Sequence, residues 1–153
     1  MTVRVFGLGH PDRGDDAVGL LIADHLEPLV PPGVVVRRVQ GSPLELLDAW
    51  DPTDAVLLVD AVRAPAPPGD VIRFDAAAGP LPRGAMGGGT HDASLVDAVE
   101  LARVLGRMPA HLVVYGVVGE RFDVGDTMSA AVRDAVGTLT ARIAGDVADR
   151  AAR

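Results

Sequence analysis

Apolar residues along this chain fall into short continuous runs, separated by stretches in which they recur every three or four positions. Val3 to Leu8 is an apolar, β-branched run that stops at Gly7-Leu8-Gly9, the pattern of a buried strand ended by a turn. Val18, Leu21, Ile22 and Leu26 then keep helical spacing. They predict a helix through about Glu27, with Asp15 or Asp16 at its N-cap and Pro28 at its end. Val34 to Val39 reads as a second strand. Ser42-Pro43 opens a helix carrying Leu44, Leu46, Leu47 and Trp50. Ala55 to Val59 is uninterrupted, as in a central parallel strand covered on both faces.

Gly69 to Phe74 alternates and reads as a strand near an edge. Residues 76–90 lack apolar bulk and form a loop, and so long a loop in a compact domain is more often functional than idle. Asp92 to Leu105 reads as a helix, Leu112 to Val118 as a buried strand, and Met128 to about Arg150 as a long C-terminal helix. The order predicts an α/β fold: a three-layer sandwich with a mostly parallel, mixed central sheet of about five strands and helices on both faces. The 153 residues fit a single domain, 1–153, frayed at its last residues.

Composition then removes chemistries. There is no Cys and no Lys, which excludes thiol nucleophiles, Cys-ligated metals, Schiff bases and a P-loop lysine. Ser occurs only at Ser42, Ser94 and Ser129, none of them in a G-x-S-x-G elbow, and H-E-x-x-H is absent. The net charge of −7 and the lack of a basic run argue against nucleic acid. No apolar stretch reaches the ~20 residues of a membrane span, and no signal peptide is visible, so a cytoplasmic protein without membrane contact is expected. The bias towards Arg and Asp resembles that of a GC-rich genome.

Ligands of open α/β sheets bind at the carboxyl ends of the strands. The first strand leads into His10-Pro11-Asp12-Arg13-Gly14-Asp15-Asp16, the third ends on Asp60, and the long loop ends in Gly87-Gly88-Gly89-Thr90-His91-Asp92. Gly7 and Gly9 begin a dinucleotide-binding pattern, but Asp12 holds its third glycine position. A pyrophosphate would also meet three carboxylates against Arg13 alone. The same acidity suits a divalent cation such as zinc, nickel or manganese. The ordinary alternatives are a helix cap for one of Asp15 and Asp16, a loop cap for Asp60, and a structural role for His91. His25 and His111 have no such setting.

Val5-Phe6-Gly7-Leu8-Gly9 followed by Arg13-Gly14-Asp15-Asp16-Ala17-Val18-Gly19 resembles the opening signature of the hydrogenase maturation proteases. Leu58-Val59-Asp60-Ala61, Thr90-His91-Asp92 with Ser94-Leu95, and Val114-Tyr115-Gly116-Val117-Val118-Gly119-Glu120 are similar to its later elements, in order, across residues 3–140. The resemblance implies an endopeptidase that removes the C-terminal peptide of a nickel–iron hydrogenase large-subunit precursor after nickel insertion. It implies Asp16, Asp60 and His91 as the catalytic and metal-site residues. It further implies nickel supplied by the substrate, with zinc or another divalent ion able to substitute.

Two departures stand out: His10 replaces the family's usual Asn, where it is expected either to add a ligand or only to replace a hydrogen bond, and Gly119 replaces its usual Pro, which is expected to loosen that turn. With thiol, amine and serine routes absent, water attack assisted by carboxylates or metal is the chemistry left. The competing reading is a non-catalytic metal- or partner-binding module of the same fold, active in metalloenzyme assembly. A monomer is expected, because a single domain must engage a large protein substrate.

Overall fold

A computed structural model describes residues 1–81 and 94–153. Five strands form one sheet: β1 (Val3–Gly9), β2 (Val35–Gln40), β3 (Ala55–Val62), β4 (Val71–Asp75) and β5 (His111–Val118). Their spatial order is β2-β1-β3-β5-β4. The first four in that order run parallel and β4 is antiparallel at the edge. The described residues also form three α-helices, α1 (Val18–Leu26), α2 (Leu95–Val104) and α3 (Ala130–Ala151).

The sheet separates two cores. On one face Val5, Leu57, Val59 and Tyr115 pack with Ile22 and Leu26 of α1 and with Val136, Leu139 and Ile143 of α3. On the other face Phe6, Leu8, Val56, Leu58 and Val114 pack with Leu95 and Val99 of α2 and with Leu46 and Trp50. Every residue of β3 is buried, as an unbroken apolar run in a parallel sheet requires. This is the three-layer α/β sandwich expected from the order of elements.

Some expectations change in detail. Residues 43–48 form a 3-10 helix, not an α-helix. Its buried positions, Pro43 and Leu46, are three apart, the spacing that a 3-10 helix eclipses on one side. Neither Asp15 nor Asp16 caps α1, because the chain first makes a 3-10 turn over Gly14–Ala17 with no side-chain cap at either start. β3 continues past Asp60 to Val62, so Asp60 lies inside the strand, opposite Gly116 of β5. Helix α2 starts at a reciprocal Ser94–Asp97 capping box.

The topology sets the location of the site. From β1 the chain crosses through α1 to β2 on one side, whereas β3 lies on the other side of β1. The loops leaving the carboxyl ends of β1 and β3 therefore diverge, opening the crevice where open α/β sheets bind ligands.

Candidate functional site

Close packing of glycines builds the β1 end of this crevice. A Cβ on Gly19 would stand 2.3 Å from the Leu8 carbonyl oxygen and 2.4 Å from that of Val59, so only glycine lets α1 lie this close to both strands. A Cβ on Gly9 (φ +153°) would overlap the Asp16 carbonyl oxygen. The acidic turn is thus pressed onto the strand end.

The two adjacent aspartates in that turn diverge. Asp15 is completely buried. Its Oδ2 accepts the amides of Glu120 (2.8 Å) and Arg121 (3.0 Å), and its Oδ1 accepts the amide of Ser129 (2.7 Å). The Ser129 hydroxyl donates to the same carboxylate at 3.0 Å. The backbone reinforces the link, with the Asp15 amide on the Arg121 carbonyl (2.7 Å) and the Gly125 amide on that of Asp12 (2.8 Å). Asp15 therefore joins the β1 loop to the turn after β5 and to the start of α3. Its neighbour Asp16 has Oδ2 2.6 Å from His10 Nδ1, and the pair is only partly buried.

Asp60 supplies the second site carboxylate. Its Oδ1 accepts the Ala61 amide at 2.8 Å. Burial raises its pKa well above the ordinary carboxylate value, and the negative charge of Asp16 raises it further. The charge of Asp16 is thus felt at Asp60, and His10 is hydrogen-bonded to Asp16. Thr90, His91 and Asp92 of the histidine segment lie outside the described residues, whereas Ser94 and Leu95 begin α2. Among the described residues no cluster of three or more His, Asp or Glu side chains could hold a metal. A cation beside Asp16 and Asp60 would offset the part of the Asp60 shift that comes from Asp16.

The remaining side chains narrow the chemistry. Ser42 Oγ accepts the Leu44 amide, Ser94 is held in its capping box and Ser129 is bound to Asp15, so each of the three serines has a structural partner. The amides of Asp15 and Asp16 are taken by the carbonyls of Arg121 and Arg13. The first turn after β1 therefore offers neither amide to a pyrophosphate. Gly119 does not sit in a loose turn. Its amide donates to the Val62 carbonyl (3.0 Å), and a Cβ would stand 2.8 Å from both Asp15 Cβ and Phe122 Cζ. His25 and His111 are exposed.

The Asp15 linkage is the functional feature that pattern reading missed. Its donors lie 105 to 114 residues downstream, and nothing local distinguishes Asp15 from a helix cap.

Solved structures share the architecture. The hydrogenase maturating endopeptidase HybD from E. coli superposes with a TM-score of 0.75 at 22% identity, covering 94% of this chain and 90% of that one. The [NiFe] hydrogenase maturation protease HycI from Thermococcus kodakarensis KOD1 gives 0.73 at 24% identity, covering 95% and 92%. A hydrogenase 2 maturation peptidase from a Thaumarchaeota archaeon gives 0.66 at 18%, covering 96% and 98%. No curated protein matches the sequence. At these identities the likeness establishes the fold. The family itself is fixed by the hydrogenase maturation protease model, HycI, which matches residues 41–146. With more than half its length matched, the chain belongs to the hydrogenase maturation protease family.

Proposed function

We infer that this protein is a maturation endopeptidase that hydrolyses one peptide bond of a nickel–iron hydrogenase large-subunit precursor and releases its C-terminal peptide. Membership of the family over residues 41–146 carries this reading. The pair of carboxylates at the divergence of the β1 and β3 loops supplies a place for the chemistry. Among the described residues no helix is long and apolar enough to cross a membrane, which suits an enzyme acting on a protein partner in solution.

Asp16, Asp60 and His91 are the side chains we assign to reading the nickel, with His10 steering Asp16. The nickel belongs to the substrate, and zinc or another divalent ion could take its place. In the free enzyme, burial and Asp16 favour the protonated form of Asp60. A cation arriving with the substrate favours ionisation, so docking releases a proton. Water then attacks the scissile carbonyl, its proton passes to a carboxylate, the C–N bond breaks and the amine leaves protonated.

The test is anaerobic incubation with nickel-loaded precursors, with the released peptide identified by mass spectrometry. Asp16→Asn and His91→Ala should each lower kcat at least ~100-fold, the usual scale for an acid–base group, while remaining folded. Full activity in either variant would remove that residue from the site. Precursor binding without any release by the wild type would favour a non-catalytic escort instead.

A further inference from the structure

A groove of about 230 Å³ opens between α1 and α3. Pro11 and Ala17, each one residue beyond His10 and Asp16, form part of its lining. Leu21 and Met128 provide apolar wall, and its charged lining is Asp24, Arg38 and Arg133. The volume is below the ~300–1,000 Å³ of small-molecule sites, and suits side chains of a larger partner. Methionine in the wall adapts to irregular apolar groups.

The charge of the groove opposes that of the chain. Arg38 shares Asp24 at 3.4 Å, whereas Arg133 makes no ion pair among the described residues. Arg133 also stands in the first turn of α3, where the helix dipole disfavours a cation. Two arginines against one aspartate leave a net positive groove on a protein of net charge −7. An exposed, unpaired cation in an unfavourable helix position, beside an apolar wall, is suited to a carboxylate carried next to an apolar side chain.

We propose that this groove seats a segment of the precursor, with an apolar side chain against Leu21 and Met128 and an acidic side chain on Arg133. The proposal rests on the endopeptidase reading and names the part of the substrate that this face recognises. It assigns Arg133 and Leu21 to substrate specificity, outside the chemical step.

The experiment measures precursor binding by calorimetry in the Asp16→Asn background, and KM and kcat in the otherwise wild-type chain. Arg133→Glu should weaken binding and raise KM at least tenfold with kcat within about twofold, and Leu21→Gln should give a smaller shift in the same direction. Arg133→Lys, which keeps the charge, should recover most of the affinity. Melting curves of the exposed-site variants check that they fold. Unchanged affinity and KM in both Arg133→Glu and Leu21→Gln would overturn the groove and leave the reaction standing. Wild-type binding without cleavage, with affinity still lost in the variants, would overturn the reaction and leave the groove. Sedimentation showing that the groove mediates self-association would assign it to a second copy and overturn the proposal.

Discussion

Ser129 and Asp15 are 114 residues apart in sequence, yet the Ser129 amide donates to Asp15 Oδ1 at 2.7 Å inside the protein. Three backbone amides and one hydroxyl converge on that carboxylate. Asp15→Ala would leave these donors without an acceptor, at roughly 1–3 kcal/mol for each of the two buried Ser129 groups. We expect a loss of at least ~3 kcal/mol in urea unfolding. Ser129→Ala removes only the hydroxyl and should cost about 1 kcal/mol. Equal effects from the two variants would contradict the shared-acceptor arrangement.

Asp60 predicts a conflict between stability and function. Burial, followed by the Asp16 charge, raises its folded pKa, whereas the unfolded chain ionises near ~3.9. Above that value the unfolded state gains by losing the proton and the folded state does not. The contribution of Asp60 is therefore fully present below the unfolded value and is lost as pH rises through the folded value. Asp60→Asn stays neutral, so it should melt with wild type at pH 3 and above it at pH 7, while losing peptide release. Calorimetric scans at the two pH values decide the matter, and a variant less stable than wild type at pH 7 would contradict the account.

Replacing Gly119 by the proline usual in the family should harm this chain. The substitution removes the amide that bonds the Val62 carbonyl and forces ring atoms towards Asp15 and Phe122. A lost buried hydrogen bond and an overpacked contact each cost about 1–3 kcal/mol. A destabilisation of ~2 kcal/mol or more is expected in urea melts, accompanied by lower kcat as the Asp15 linkage shifts. A Gly119→Pro protein as stable as wild type would show that the turn can relax.

Much of the fold could be read along the chain because a parallel sheet writes itself locally. The runs at Val3–Leu8, Ala55–Val59 and Leu112–Val118 are buried on both faces, and no helix of that length would need such continuity. Asp16 and Asp60 became candidates differently: ligands of such sheets bind beyond the carboxyl ends of the strands, and the family resemblance picked Asp16 over Asp15.

What could not be read is what depends on distant partners. Asp15 looks like a helix cap until Glu120, Arg121 and Ser129 are folded against it. Pro43–Asp48 has helical composition, and only the burial of Pro43 and Leu46 at a spacing of three selects the tighter winding. The antiparallel placement of β4 beside β5 has no signature within Gly69–Phe74 itself.

The Asp15 linkage also dates the site during synthesis. A ribosome makes chains from the N-terminus at about 5–20 residues per second. Asp15 and Asp16 thus emerge seconds before Ser129, the last donor that fixes their turn. A truncated or stalled nascent chain can carry both candidate carboxylates and still lack the clasp that sets them, so competence for proteolysis arrives only with the final helix.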